Sequence, residues 1–135
     1  MVDLAGQHGR IQVELDAALL SAANAGAYIQ GPEVKTFATE LANYLDVAHV
    51  IPCANGTDAL QIALMALGLK PGDEVITATF TYVATAEVMA LLGLTPVLVD
   101  VRPDTFSLDL DQVRAAIGPK TKAVVPVHLY GQAAD

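Results

Sequence analysis

One short segment, Asn55-Gly56-Thr57-Asp58, has the residue types of an anion-binding turn. It falls where a predicted strand, residues 49–53, passes into a predicted helix, residues 55–67. In open α/β sheets, ligands bind off the carboxyl ends of strands, and a helix start presents unpaired backbone N–H groups at the positive end of its dipole. Gly56 allows a close approach to the backbone and Thr57 adds a hydroxyl donor, so the segment predicts a phosphate cradle.

The same four residues also suit an ordinary helix cap. Asn55 is a favoured N-cap residue, and Asp58 lies three positions further on, as in a capping box. The segment contains neither the Gly-Lys-Ser/Thr of a P-loop nor the Gly-x-Gly-x-x-Gly of a dinucleotide-binding fold. Taken alone, it is equally compatible with a phosphate site and with a plain cap.

A second segment, residues 77–85, gathers four threonines and two aromatic side chains at the next strand-to-helix junction. An aromatic ring at the carboxyl end of a strand could stack on a planar cofactor, and Tyr82 is the candidate for that contact. The plainer interpretation is that Tyr82 starts a helix and packs on its neighbours. Without further information the pattern favours this second interpretation.

The remaining candidates for chemistry are weaker. His8 is predicted to be solvated, His49 to be structural, and His128 to be a core or rim histidine near the end of a strand. Cys53 is predicted to be a small buried apolar residue. The three histidines and the single cysteine lack metal-ligand spacing, so no metal site is predicted. Asp104, Asp109 and Asp111 are predicted to be turn and cap residues. Asp100 ends a predicted strand, and the sequence assigns it no role.

Composition narrows the class of protein. The chain has 135 residues, 53% of them hydrophobic, and a formal net charge of −8, which is a globular composition. No basic run is present to contact nucleic-acid phosphates, so a nucleic-acid partner is not expected. One cysteine allows no intrachain disulfide, which favours a reducing, cytoplasmic setting. The N-terminus lacks a signal-peptide pattern, and the most apolar stretch, residues 88–99, is too short to span a bilayer.

The elements that must position these residues follow from hydrophobic periodicity. Two amphipathic helices come first, and the second starts at Pro32 with one predicted buried stripe: Val34, Phe37, Leu41 and Tyr44. Strands and helices then alternate, with strands predicted at 49–53, 74–78, 96–101 and 123–129, and helices at 55–67, 82–92 and 109–117. The strands are near-continuous apolar runs, which is typical of a mostly parallel sheet covered by helices on both faces.

The fold class is therefore α/β, with an N-terminal helical segment at residues 1–47 and a partial α/β domain at residues 48–135. The last predicted strand ends shortly before Asp135, where a covered sheet normally continues with another helix. We therefore expect a truncated chain, and a complete four-stranded domain is the alternative. A truncated sheet would expose an apolar edge and face.

Several segments together resemble a known family. In order along the chain they are Tyr28–Val34, Cys53–Leu60, Gly72–Thr77, Phe80–Thr85 and Val125–Gln132. They resemble the DegT/StrS-type sugar aminotransferases, which are fold-type I pyridoxal 5'-phosphate (PLP) enzymes and typically homodimers. The resemblance runs through nearly all of the chain and implies the N-terminal part of the large domain.

The resemblance implies a cofactor site and a reaction. Gly56 and Thr57, with the backbone at Asp58, would hold the PLP phosphate, and Tyr82 would stack against the pyridine ring. The full-length protein would transfer an amino group, from glutamate, to a C3 keto group of a nucleotide-linked sugar for polysaccharide biosynthesis. A PLP-dependent deoxysugar dehydratase of the same fold and a non-catalytic nucleotide-binding module are the alternatives.

The family's catalytic residues are expected beyond the chain end. The aspartate that pairs with the pyridine nitrogen lies on the strand after the one ending near Tyr130, and the Schiff-base lysine lies further on. The lysines that are present lie on an early helix or before strands: Lys35, Lys70, Lys120 and Lys122. None is placed where an amine nucleophile would be activated, so the 135-residue chain alone is predicted to be inactive.

Overall fold

The computed structural model describes residues 2–135. The chain divides into two compact units, one ending at Pro52 and the other beginning at Cys53. The predicted domain boundary after residue 47 falls shortly before this division and stays a prediction. Across residues 2–135, no helix combines the length and the apolar character needed to cross a membrane.

The first unit contains the two predicted helices, α1 (Leu4–Ala25) and α2 (Pro32–Leu45). Asp3 caps α1, since its carboxylate accepts a hydrogen bond from the Gly6 N–H at 2.9 Å. Proline occupies the first position of α2, where its missing N–H has no intrahelical partner to lose. Both helix starts therefore follow from local chemistry.

The predicted buried stripe of α2 is wrong. Phe37 and Tyr44 are 55% and 85% exposed, and Val34 and Leu41 are only partly buried. Among the described residues of α1 and α2, none is buried. Apolar spacing establishes which residues share a helix face, but burial of that face requires a surface that covers it.

The second unit alternates helices and strands along the chain. In order they are α3 (Gly56–Ala66), β1 (Glu74–Ala78), α4 (Ala84–Leu91), β2 (Thr95–Val99), α5 (Leu110–Ala116) and β3 (Thr121–Val125). A short 3-10 turn, Leu129–Gly131, follows β3. The three strands form one parallel sheet in the order β2-β1-β3, so the α/β prediction is confirmed.

The strand predicted at residues 49–53 is wrong. These residues have no regular secondary structure, and the sheet of the described chain has three strands where four were predicted. A strand exists only where a neighbour accepts and donates its ladder hydrogen bonds. An apolar run shows that a segment suits a sheet without showing that a partner strand is available.

The core lies on both faces of β1, where Val75, Ile76, Thr77 and Ala78 are all buried. On one face, Val75 packs with residues of α3 and α4, namely Leu64, Val88 and Met89, together with Leu94. On the other face, Ile76 and Ala78 pack with Val99, Leu108 and Val113. The outer strands are more open, with Leu98 of β2 53% and Val124 of β3 43% exposed.

Candidate functional site

Two helix starts lie toward the carboxyl edge of the sheet. α3 leads through residues 67–73 into the amino end of β1, so it runs back along the strand and begins at the opposite, carboxyl edge. α4 follows β1 directly and begins at that same edge. Leu64 of α3 and Met89 of α4 share one core cluster, which holds the two helices side by side on one face. Topology therefore brings both helix starts toward one edge.

The predicted cap at the start of α3 is present. The Asn55 side-chain oxygen accepts from the Asp58 N–H at 2.9 Å, and its amide nitrogen donates to the Asp58 carboxylate at 3.1 Å. This reciprocal pair uses the Asp58 N–H. The Gly56 and Thr57 N–H groups, at the first two helical positions, have no intrahelical acceptor and no other partner within residues 2–135. Two backbone donors thus remain for a ligand.

Space is available beside these donors. A Cβ placed on Gly56 would meet no heavy atom within 4 Å. Thr57 is half-buried and its hydroxyl lies one residue further along the first turn. Open volume, two free N–H groups and the helix dipole fit an anionic group such as a phosphate ester.

Tyr82 lies in the loop between β1 and α4 and is 78% exposed. It does not pack into its surroundings, contrary to the plainer interpretation of the sequence, and α4 begins only at Ala84. With Phe80, Thr81 and Leu129 it lines a shallow cleft of about 270 Å³. Leu129 comes from the turn after β3, so the cleft joins loops that follow two neighbouring strands. The sequence alone did not identify Leu129 as a lining residue.

A partly buried hydrogen bond ties those two strands together. Thr77 of β1 is fully buried and its hydroxyl donates to the Val125 carbonyl of β3 at 3.0 Å. The two residues are also register partners in the parallel ladder. A threonine in an apolar strand is the signal that could have suggested this link.

The loop between β2 and α5 is rich in charge and contains one ion pair. The Arg102 guanidinium lies 3.1 Å from the Asp104 carboxylate, and this hydrogen-bonded pair lowers the pKa of Asp104 and raises that of Arg102. Asp109 caps α5 as predicted, and hydrogen bonds from the N–H groups of Gln112 and Asp111 lower its pKa. These acidic residues therefore serve in turns and caps.

The histidines and the cysteine add little to the cleft. His8 and His49 are exposed, and His49 lies in no strand. The His128 Nδ1 accepts from the Ala134 N–H at 3.0 Å, which makes it a rim residue with a structural contact. Cys53 is exposed, so its predicted burial is wrong, because the segment before α3 is not covered by a sheet.

The remaining polar residues lie away from the cleft lining. Lys70 and Lys120 lie at the amino ends of β1 and β3, and the Lys122 ammonium donates to the Pro119 carbonyl. The Asp100 carboxylate accepts from the Val101 N–H at 2.8 Å, just after β2. Lys35, Lys70 and Lys120 lie where the sequence analysis placed them, whereas Lys122 is the second residue of β3 and not a residue before it, because the strand begins two positions earlier than predicted.

Comparison with known proteins places this geometry in context. A family model described as the DegT/DnrJ/EryC1/StrS aminotransferase family matches residues 10–135. The chain is 54% identical over 134 residues to a Pseudomonas aeruginosa protein named UDP-2-acetamido-2-deoxy-3-oxo-D-glucuronate aminotransferase. That match covers 99% of this chain and 37% of the relative, so the chain spans little more than a third of the relative's length.

Two solved structures share the fold. One is Streptomyces venezuelae DesV in complex with a ketimine intermediate, with a TM-score of 0.93 and 42% identity over 98% of this chain and 36% of that one. The other is NtdA from Bacillus subtilis with bound cofactor PMP, with a TM-score of 0.83 and 42% identity over 87% of this chain and 27% of that one. At 42% identity, both structures resemble this chain in amino-acid sequence as well as in the arrangement of helices and strands.

Proposed function

The chain belongs to the DegT/DnrJ/EryC1/StrS aminotransferase family, and from that premise we propose that the full-length protein aminates the C3 keto group of a nucleotide-linked sugar, with PLP as cofactor. The name of the Pseudomonas aeruginosa relative, a 3-oxo sugar nucleotide aminotransferase, supports the substrate class. The PMP in the Bacillus subtilis structure supports the cofactor. Glutamate as amino donor, a homodimeric cytoplasmic protein and a role in polysaccharide biosynthesis complete the proposal.

The observation that carries this proposal is the pair of free N–H groups at the start of α3, at the sheet edge that also bears Tyr82. Gly56 and Thr57 would bind the cofactor phosphate through their backbone N–H groups, with the Thr57 hydroxyl as a third donor. The Asp58 N–H already donates to Asn55, so Asp58 contributes through the cap rather than through a free donor. This refines the expected role of Asp58.

When bound, PLP supplies the electron sink for amino transfer, and the protein supplies position and electrostatics. The start of α3 would anchor the phosphate and so fix the lateral position of the ring. The exposed Tyr82 face would set the tilt of the ring from the cleft side. Phe80 and Leu129 would exclude water from the ring edge, since both line the same cleft.

The test compares two glycines in the full-length protein. Gly56→Ala adds a methyl group that meets nothing in the chain, so the variant should fold normally while the methyl occupies the space of the phosphate. Gly9→Ala in α1 adds a methyl group to equally open space and is the matched control. Each change should leave stability equal or raise it by up to about 1 kcal/mol, the usual gain of alanine over glycine in a helix.

PLP binding is measured by titrating the purified apoprotein and following the visible absorption band. We expect Gly56→Ala to weaken binding by about tenfold or more, equivalent to about 1.4 kcal/mol, and Gly9→Ala to match the wild type. Thr57→Val should weaken binding to a smaller extent, because the backbone donors remain. Absence of an absorption band in the wild type, or unchanged affinity in Gly56→Ala, would contradict the proposal.

A further inference from the structure

Two aromatic rings meet beside the cleft. The ring of Phe80, in the loop between β1 and α4, lies against the ring of Phe106, in the loop between β2 and α5, with centroids 5.7 Å apart and planes tilted by 35°. This separation lies in the range where aromatic pairs attract each other. Phe80 lines the cleft together with Tyr82. Among the described residues, neither Phe80 nor Phe106 belongs to the two core clusters, so the ring contact lies outside the core and next to the candidate site.

The loop that carries Tyr82 has little backbone support in its middle. At the start of the loop, the Thr79 N–H donates to the Val99 carbonyl at 2.8 Å, and the end of the loop passes directly into α4. Between these points, Phe80 makes no backbone hydrogen bond within the described chain. The ring contact with Phe106 therefore supplies a restraint on Phe80 that backbone hydrogen bonds do not supply.

The loop that carries Phe106 is held by several contacts of its own. The Phe106 N–H donates to the Arg102 carbonyl at 2.8 Å, and the Arg102 N–H donates to the Ser107 carbonyl at 2.9 Å. The Arg102 guanidinium also donates to both oxygens of the Asp104 carboxylate, at 3.2 and 3.1 Å. Leu108, at the end of this turn, is buried in the core. Phe106 thus stands on a closed turn that is anchored to the core, and it can restrain the less supported ring of Phe80.

We propose that Phe106 is a positioning residue for the cofactor ring, acting through Phe80 on the loop that presents Tyr82. This inference rests on the proposed function, because it takes the ligand of the cleft from it. Phe106 is not among the residues that line the cleft, so it acts without touching the cofactor. It limits the movement of Phe80, and Tyr82 then faces the pyridine ring at one tilt.

The experiment compares variants of the full-length protein. Phe106→Leu removes the ring, and leucine suits the φ of 57° at this position no better than phenylalanine, so the variant does not relieve backbone strain. Phe106→Tyr keeps the ring. Phe80→Leu removes the other partner of the contact, and the double variant completes a double-mutant cycle. Phe37→Leu on α2, where the side chain is 55% exposed, is the matched control.

Each purified apoprotein is titrated with PLP. The titration gives the affinity for PLP and the visible circular dichroism per bound PLP. PLP is achiral, so its dichroism arises only from asymmetric surroundings and reports how firmly its ring is oriented. The Tm of each apoprotein is measured separately, because a merely structural role would change the Tm without changing the dichroism per bound PLP.

We expect Phe106→Leu to reduce the visible dichroism per bound PLP and to weaken PLP binding by about threefold to tenfold, the range that one aromatic pair corresponds to. The Tm should stay within about 3 °C of the wild type. Phe106→Tyr should recover most of the dichroism and the affinity, and Phe37→Leu should match the wild type. Because Phe106 acts through Phe80, the double variant should bind PLP no more weakly than Phe80→Leu alone.

Unchanged dichroism and affinity in Phe106→Leu would overturn the inference. So would losses in the two single variants that add up in the double variant, because Phe106 would then act independently of Phe80. A failure of Phe106→Leu to fold, or a fall in its Tm of many degrees, would assign the ring contact to the fold and overturn the inference as well. A wild type that shows no visible PLP band would instead sink the proposed function, and this inference with it.

Discussion

In α1 and α2 no described side chain is buried, whereas four consecutive residues of β1 are buried and core clusters lie on both of its faces. Both regions have apolar residues at the spacing their secondary structure requires. The difference is that the faces of β1 have helices to pack on. Burial thus depends on partner surfaces and not on apolar spacing alone, and the candidate site lies in the region where those partners are present.

The first prediction contrasts core truncation in the two regions of the full-length protein. Met89→Ala should lower the free energy of unfolding by about 2–5 kcal/mol, because it removes a fully buried side chain and leaves a cavity. Val13 in α1 is 83% exposed, so Val13→Ala should change the free energy of unfolding by less than about 0.5 kcal/mol. Urea denaturation measures both. If both variants lose the same free energy of unfolding, α1 is covered in the full-length protein, and the difference in burial between α1 and β1 does not hold there.

The second prediction concerns threonine hydroxyls. Thr77→Val removes the buried hydroxyl that joins β1 to β3. It should lower the free energy of unfolding by about 1–3 kcal/mol. Thr39→Val on α2 removes an exposed hydroxyl that bonds the Lys35 carbonyl one turn back, and should be near neutral. Thr77→Ser keeps the donor and should recover part of the loss. If Thr77→Val and Thr39→Val unfold at the same urea concentration, the strand link is not stabilising.

Helix caps are the case in which the two regions should behave alike. Asn55 caps α3 and Asp3 caps α1, each accepting from an N–H at 2.9 Å. Because a cap is a local contact, Asn55→Ala and Asp3→Ala should each cost about 1 kcal/mol. Thermal unfolding followed by circular dichroism tests this. A loss for Asn55→Ala alone would indicate that α1 does not unfold cooperatively with the rest.

The smallest effect is a pH dependence in the second region. Hydrogen bonds from α5 lower the pKa of Asp109 below its ordinary value of 3.8. The unfolded chain then binds the proton more readily, so this stabilisation is fully present above about pH 4 and is lost as the pH falls through the lower folded-state pKa. Asp109→Asn should therefore flatten the acid side of a Tm-against-pH profile slightly, since the group is exposed and screened. Identical profiles for variant and wild type would rule out this contribution.

Local sequence signals predicted most helices and strands of the second region to within a few residues. The strand at 74–78 and the caps at Asn55 and Asp109 are present as predicted. These features depend on contacts between residues close in sequence, or on a long apolar run that suits only a covered strand. The start of α3, as the position of two free N–H donors, was predictable for the same reason.

Only the tertiary structure decided which apolar faces are covered and which loops meet. It left the α2 stripe exposed and residues 49–53 without a strand, because neither has a partner surface in the described chain. It also brought Leu129 beside Tyr82, although 47 positions separate them in sequence. The physical reason is that parallel pairing of β1 with β3 places the two following loops at one edge, and pairing between strands so distant in the chain has no signal in either segment alone.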